Sequence, residues 1–342
     1  MQMQELTLNA LRAAAAVFLI ASGTAQAQTV GASFAGSYTA TDLGTPGGLP
    51  ALFGGLTFLD NSTLLIGGSA NGPAGQIYTL GVTRDGANHI TGFSAPASVF
   101  RGAGSTIGEY NDGGVVFGPG GVLFTSRWPV NGLGQTKPGS IDEDKIIDLA
   151  ALGVAGSHAA INFVPGGFGG AGHVKLVSWA GGQWYDATLS PDGFGTYDLA
   201  GLTQIDLNGA APGMGVLGGG PEGFTYVSAG NPSFAANSML VSEYSAGQVA
   251  AYDVDVNGDP ILGSRRTFLS GLSGAEGAVL DPLTGDFLFS TFGGGNHLVR
   301  VSGFTVLPPT TPVPEPETYA MLLAGLGLLG VIARRRKQKL TA

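Results

Sequence analysis

The feature that most constrains the fold of this 342-residue chain is a repeated pattern of paired apolar strands. Each repeat begins with two small residues or with Glu-Gly, continues into an apolar strand, turns, and enters a second apolar strand. The first strands of the repeats are residues 54–58, 113–117, 159–163, 222–226 and 276–280. Short apolar runs between turn residues are typical of β-strands, so the pattern predicts an all-β fold.

Third and fourth strand-like runs follow most of these pairs, for example residues 248–256 and 261–270 in the fourth repeat. The unit is therefore a four-stranded meander of about 55 residues, and repeats of this kind are typical of a β-propeller. We predict five four-stranded blades, or six if the blades are shorter. The last repeat ends near residue 307 with three strands, so the N-terminal run 33–42 is expected to complete it and close the ring. A pair of β-sandwiches or a β-solenoid is the competing architecture.

Composition limits the chemistry that such a body can carry. The chain has no cysteine, which excludes disulfides, thiol catalysis and zinc-thiolate sites. A hydrophobic content of 44% argues against disorder, and 60 glycines fit a fold with many turns. The formal net charge is −9, and much of the positive charge lies at the C-terminus. The body is thus strongly acidic and is not expected to bind nucleic acid.

The N-terminal residues 1–27 are predicted to be a signal peptide. Arg12 precedes the small apolar stretch 13–21, and Ala25-Gln26-Ala27 provides the small-x-small pattern that signal peptidase cleaves. The mature chain would then begin at Gln28, with the propeller-like domain spanning residues 28–307.

The C-terminal end has the form of a sorting signal. A Pro/Thr linker at 308–312 leads into residues 313–340, which contain Pro314-Glu315-Pro316, an uncharged apolar span at 318–333 and the basic cluster Arg334-Arg335-Arg336. Sixteen residues make a helix of roughly 24 Å, a short transmembrane helix whose basic end stays in the cytoplasm. This order of motif, helix and arginines resembles the PEP-CTERM sorting signal of Gram-negative bacteria. The resemblance implies cleavage by an exosortase, export through the inner membrane, and a cell-surface or secreted product.

Two acid-glycine pairs give a first candidate metal site. Glu222-Gly223 and Glu276-Gly277 each precede a predicted inner strand, and 281–286 reads Asp-Pro-Leu-Thr-Gly-Asp. These features resemble propellers of the gluconolactonase and regucalcin-like superfamily. The resemblance implies that Glu222 and Glu276 reach the central channel and bind a divalent metal such as calcium. The other ligands of that family have no matching position here, and hydrogen bonding of both carboxylates to backbone amides is the alternative.

The segment 253–259 gives a second candidate calcium site. Asp253, Asp255, Asn257 and Asp259 alternate as the ligands do in the first half of an EF-hand loop, and Gly258 permits a sharp turn. The twelfth position of such a loop, where a Glu is required, is Ser264. An amphipathic outer strand ending in an Asn-Gly hairpin turn would show the same alternation.

The aromatic residues Trp128, Trp179, Trp184 and Tyr185 could form a platform for sugars, although burial within a blade is the commoner role. Three functional classes follow. The first is a non-enzymatic exported protein of the exopolysaccharide matrix, since PEP-CTERM proteins are associated with exopolysaccharide-producing bacteria. The second is a calcium-dependent, lactonase-like hydrolase that uses Glu222 and Glu276. The third is a glycan- or protein-binding propeller.

Overall fold

The computed structural model describes residues 28–208 and 215–305. The predicted signal peptide at 1–27, the linker at 308–312 and the sorting signal at 313–340 with its helix at 318–333 lie outside these residues. Within them the fold is all-β, with three short 3-10 turns at Pro119–Gly121, Ala150–Leu152 and Leu262–Ser264. Among the described residues there is no helix with the length and apolar character needed to span a membrane.

Twenty-two strands occupy the described residues, and they follow the predicted meanders. Two N-terminal strands, β1 (Thr29–Val30) and β2 (Thr39–Gly44), precede the first blade. Blade 1 contains β3 to β7 at Leu56–Asp60, Thr63–Gly68, Gln76–Arg84, Ile90–Phe93 and Ser98–Val99. Blade 2 contains β8 to β11 at Asn111–Phe117, Leu123–Arg127, Gly132–Thr136 and Lys145–Asp148. Blade 3 contains β12 to β15 at His158–Phe163, Val174–Ser178, Trp184–Pro191 and Tyr197–Ile205. Blade 4 contains β16 to β19 at Pro221–Val227, Ser238–Glu243, Gln248–Asp253 and Arg266–Ser270. Blade 5 contains β20 to β22 at Ala275–Leu280, Phe287–Thr291 and Leu298–Ser302.

Each blade is an antiparallel sheet whose strands pair in chain order, as expected when hairpins connect them, except that β7 of blade 1 pairs with β5. The first strands of the blades contact one another in a closed ring, in the order β3, β8, β12, β16, β20 and back to β3. These strands therefore surround the central axis. The prediction of a propeller with five four-stranded blades is confirmed.

The ring closes as the sequence predicts, because an N-terminal strand completes the last blade. Strand β2 pairs with β22, with Thr39 opposite Ser302 and Thr41 opposite Arg300. The closing strand begins at Thr39 rather than near residue 33, since the segment before it is a turn. Strand β1 instead extends blade 4 by pairing with β19. Two separate blades thus depend on the N-terminal segment for their outer edge.

Hydrophobic cores lie between neighbouring blades. The largest joins blades 4 and 5 and includes a set of packed rings: Phe34, Tyr38, Phe234, Phe268 and Phe304. The ring of Phe34 meets that of Phe268 edge to face at a centroid distance of 5.0 Å. Aromatic pairs of this kind contribute about 0.5–1.5 kcal/mol beyond their buried area. The turn before β2 is therefore held by packing as well as by strand pairing.

Candidate functional site: an acidic, aromatic cavity at the channel mouth

A backbone motif is repeated at the inner end of all five blades. In each blade one residue with positive φ accepts, through its carbonyl, a hydrogen bond from the backbone N–H of a residue that follows the second strand. The acceptors are Leu52, Tyr110, Ser157, Gly220 and Gly274, and their donors are Ala70, Trp128, Trp179, Tyr244 and Phe292, at distances of 2.8–3.0 Å. The motif places the donor residues around the channel mouth.

The residue two positions after each acceptor defines an equivalent place at the start of each inner strand. This place is taken by Gly54, Asp112, Ala159, Glu222 and Glu276. Register shifts occur here in blades 2 to 5, for example between Pro221 and Gly223. Such bulges re-aim side chains that a regular strand would send to a sheet face. Blades 2, 4 and 5 thus contribute carboxylates, whereas blades 1 and 3 contribute small residues.

Asp112, Glu222 and Glu276 form a buried carboxylate cluster. Oxygens of the three side chains lie within 4.8 Å of one another, and the residues are 0%, 6% and 1% exposed. Among the ion pairs of the described residues, none involves these three carboxylates. With its amide oriented to suit both acceptors, Asn71 donates to Asp112 Oδ1 at 2.9 Å and to the Asn111 carbonyl at 3.1 Å. Asp112 Oδ2, Glu222 Oε2 and Glu276 Oε1 are buried without a hydrogen-bond partner.

Burial and mutual repulsion strongly disfavour the charged form of the cluster. Burial raises the pKa of Asp112 to about 7, against an opposing contribution from hydrogen bonds. The pKa of Glu222 is well above its usual value, first because of burial and then because of the charge on Asp112. Burial also raises the pKa of Glu276, followed by the charges of Glu222 and Asp112. The cluster consequently needs protons or a cationic partner at neutral pH.

Above the carboxylates lies a cavity of about 220 Å³ with an aromatic wall. The wall consists of Trp128, Trp179, Tyr244 and Phe292, the donor residues of blades 2 to 5. The rings of Trp179 and Tyr244 meet edge to face at 6.3 Å, and those of Tyr244 and Phe292 at 6.1 Å. Asn71, Glu222 and Glu276 complete the lining. An apolar wall with a few convergent polar groups is typical of a small-molecule site.

The structure brings together Glu222 and Glu276, as the resemblance to metal-binding propellers implied, and adds Asp112. The sequence pattern did not predict Asp112, because the alignment of the chain's own repeats matched Gly113-Gly114 with Glu222-Gly223. In β8 the register shift extends from Asn111 to Val115, so blade 2 holds an additional residue at this point. The available signal was the pair Asp112-Gly113, which repeats the acid-glycine pattern one position earlier.

The predicted ligands at 253–259 form hydrogen bonds within the turn and with neighbouring side chains. Asp255 Oδ1 accepts from the backbone N–H groups of Asn257 and Asp259, at 2.8 and 2.9 Å, as in a hairpin turn. Asp259 Oδ1 accepts from buried Lys175 at 2.5 Å and from Trp184 Nε1 at 2.7 Å.

Asp253 Oδ1 accepts from Arg266 at 2.9 Å and from Ser238 Oγ at 3.1 Å. In the described part of the chain, the carboxylates of this turn do not form a group of three or more metal-ligating side chains, whereas Asp112, Glu222 and Glu276 do. Calcium binding at this turn stays a prediction.

Two of the four residues of the predicted aromatic platform line the cavity, and the other two are buried in cores between blades. Trp128 and Trp179 line the cavity. Trp184 is fully buried and Tyr185 nearly so, each in an interblade core. The sequence did not single out Tyr244 and Phe292, because they follow ordinary strands and only the closed ring brings them beside the tryptophans.

Comparison with known protein families identifies a sorting motif at the C-terminal end. Residues 312–337 match the PEP-CTERM protein-sorting motif. The motif implies recognition by an exosortase and export to the cell surface or the extracellular space. No curated protein is similar to the chain at a significant level.

Several solved structures resemble the chain in fold. A glutaminyl cyclase from Myxococcus xanthus is 13% identical over 79% of this chain and 98% of its own, with a TM-score of 0.44. An auxiliary nutrient binding protein from Bacteroides ovatus is 12% identical over 78% and 76%, with a TM-score of 0.41. A putative 6-phosphogluconolactonase from Bacteroides uniformis is 12% identical over 77% and 75%, with a TM-score of 0.36. Such distant similarities assign no activity. What the findings establish is a PEP-CTERM sorting motif attached to a five-bladed, β-propeller-like body.

Proposed function

We propose that this protein is an exported, exosortase-sorted, non-enzymatic propeller that binds carbohydrate in the exopolysaccharide matrix. The observation that supports this function best is the cavity at the channel mouth, where Trp128, Trp179, Tyr244 and Phe292 surround buried carboxylates. In this proposal signal peptidase removes residues 1–27. The exosortase then cleaves at Pro314-Glu315-Pro316 while Arg334, Arg335 and Arg336 keep the end of the helix in the cytoplasm.

The chemistry of the cavity suits a sugar ring. Aromatic side chains present flat apolar faces on which the C–H face of a pyranose can stack, and such rings lose little conformational entropy on binding. Glu222 and Glu276 carry buried oxygens without a partner, and a carboxylate oxygen accepts hydrogen bonds from hydroxyl groups. A ligand that combines an apolar face with hydroxyl donors would satisfy both parts of the lining.

Tryptophan fluorescence provides a direct test, because the chain contains only three tryptophans. Trp128 and Trp179 line the cavity, and Trp184 is fully buried elsewhere. Titration with matrix oligosaccharides should shift or quench the emission, and Trp179→Phe should remove part of this response. Phe194→Ala is the matched control, since Phe194 is 82% exposed outside the cavity. An emission spectrum unaffected by any matrix oligosaccharide, with no heat of binding by calorimetry, would refute carbohydrate binding.

A calcium-dependent hydrolase is a second candidate, supported by the carboxylate cluster. Three carboxylates within 4.8 Å form an oxygen donor set of the kind that calcium prefers, and their unpartnered oxygens fit this role. Asp112, Glu222 and Glu276 would hold the ion, which could polarise a substrate carbonyl or activate water.

This candidate requires stoichiometric metal in the purified protein and a melting temperature that rises with calcium. Turnover of lactone substrates should then depend on the ion. A protein that retains no metal and is indifferent to calcium would rule this candidate out.

A further inference from the structure

We propose that the cavity selects a positively charged sugar unit, namely an amino sugar with a free ammonium group. This inference rests on the carbohydrate-binding function proposed above and names the class of unit that the site takes.

The first argument is the charge of the site. Glu222 and Glu276 line the cavity, and the buried carboxylate of Asp112 lies within 4.8 Å of theirs. Of the described residues that line the cavity, none is Lys or Arg. A neutral sugar can donate hydroxyl hydrogen bonds here but brings no charge to balance the carboxylates. An ammonium group brings three N–H donors and a full positive charge.

The second argument is the aromatic wall. The electron-rich faces of Trp, Tyr and Phe attract cations, and the attraction increases when the cation is shielded from water. Four aromatic residues line this one cavity: Trp128, Trp179, Tyr244 and Phe292. Buried acids beside aromatic rings form a site in which both components favour an organic cation. A bare metal ion would satisfy the carboxylates but leave the aromatic space above them unused.

The third argument is size. A volume of 220 Å³ corresponds to about seven water molecules at roughly 30 Å³ each. One monosaccharide unit is of this scale, whereas an oligosaccharide is not. The cavity would thus hold a single amino sugar, and the rest of the polysaccharide would continue outside the channel mouth.

The test compares two oligomers that carry either a free ammonium group or an uncharged acetamido group at the same position of each sugar unit. The exported protein is titrated with a glucosamine oligomer and with the N-acetylated oligomer of the same length, in EDTA, by calorimetry and tryptophan fluorescence. We expect the free amine form to bind at least about tenfold more tightly, since hydrogen bonds to charged groups contribute more than neutral ones.

Two variants separate the site from general attraction to an acidic protein. Glu222→Gln and Glu276→Gln keep the side-chain shape but remove charge, so each should reduce the preference for the amine. The exposed change Phe194→Ala should leave it intact. A preference that survives both glutamine variants would be non-specific and would overturn the proposal. The wild-type comparison needs no variant, so a folding defect would not prevent the test.

The remaining outcomes distinguish the two proposals. Equal affinity for both oligomers would overturn amine selection and leave carbohydrate binding supported. Binding that appears only when calcium replaces EDTA would also overturn amine selection, because the metal would then occupy the carboxylates. No binding of either oligomer, while other matrix oligosaccharides still bind, would overturn amine selection alone. If none of the carbohydrates bound, both proposals would be overturned.

Discussion

Replacing Asp112 by Asn should stabilise the protein at alkaline pH and have a smaller effect in acid. The residue is fully buried, and burial raises its pKa from 3.8 to about 7. The folded state therefore binds a proton that the unfolded state releases. The stability that this proton provides is fully present below pH 4 and is lost as the pH rises through about 7.

The magnitude follows from the difference between the two pKa values. Each pKa unit corresponds to 1.36 kcal/mol, so ionising Asp112 in place costs up to about 4 kcal/mol at pH 8. At pH 5 the same relation leaves less than half of this cost. An asparagine is neutral at both values, and its oxygen can still accept from Asn71. The gain of the variant over wild type in unfolding free energy should thus be about 3 kcal/mol larger at pH 8 than at pH 5.

The assay is thermal or urea unfolding of both proteins in EDTA at pH 5 and pH 8. A difference of about 3 kcal/mol corresponds to roughly 6 °C in Tm for a domain of this size. Asp60→Asn is the matched control, because a hydrogen bond from the backbone N–H of Ser62 lowers the pKa of the exposed Asp60. The control should show no gain at pH 8. Equal effects of Asp112→Asn at both pH values would refute the burial argument.

Three further predictions concern packing and sorting. Lys175→Met should destabilise the protein by about 3–5 kcal/mol in urea unfolding, because it leaves the buried carboxylate of Asp259 without its cation. Gly223→Ala should lower the Tm by several degrees, since an added Cβ would come within 2.3 Å of a carbonyl on the neighbouring inner strand. Gly86→Ala, where a Cβ meets nothing within 4 Å, should not lower it, and equal effects of the two would contradict the close-packing argument. Alanines at 314–316 should retain the full-length chain in the inner membrane of its host, and normal release of that variant would refute sorting by this motif.

The blade pattern was readable from the sequence because it depends on local physics. Apolar runs of strand length alternate with turn residues, and the five repeats favoured the correct number of blades, five, over the alternative of six. Ring closure was also predictable, since the last repeat had three strands and an unassigned strand remained at the N-terminus. The prediction placed that strand from residue 33, whereas Phe34 is buried in the core between blades 4 and 5. Side-chain packing of the preceding turn decided this boundary.

The site was only half predictable. Glu222 and Glu276 stood out because each precedes a glycine at the start of a strand. Asp112 did not, because the extra residue in β8 moves it out of alignment with them. Tyr244 and Phe292 were not singled out, since an aromatic residue after a strand is more often part of a core.

By itself the sequence determined the all-β repeat and the sorting motif and favoured five blades over six, because each of these depends on residues close together in the chain. It also predicted the closing N-terminal strand, from the missing fourth strand of the last repeat, although that strand pairs with residues more than 250 positions away. Only the tertiary structure decided that acids from three blades form one cluster beside a cavity lined by rings from four blades. Residues 112 and 292 lie far apart in sequence, and a closed ring brings every blade's inner end to the same axis. That convergence buries three carboxyl groups without a basic partner among the described residues, and no local pattern encodes it.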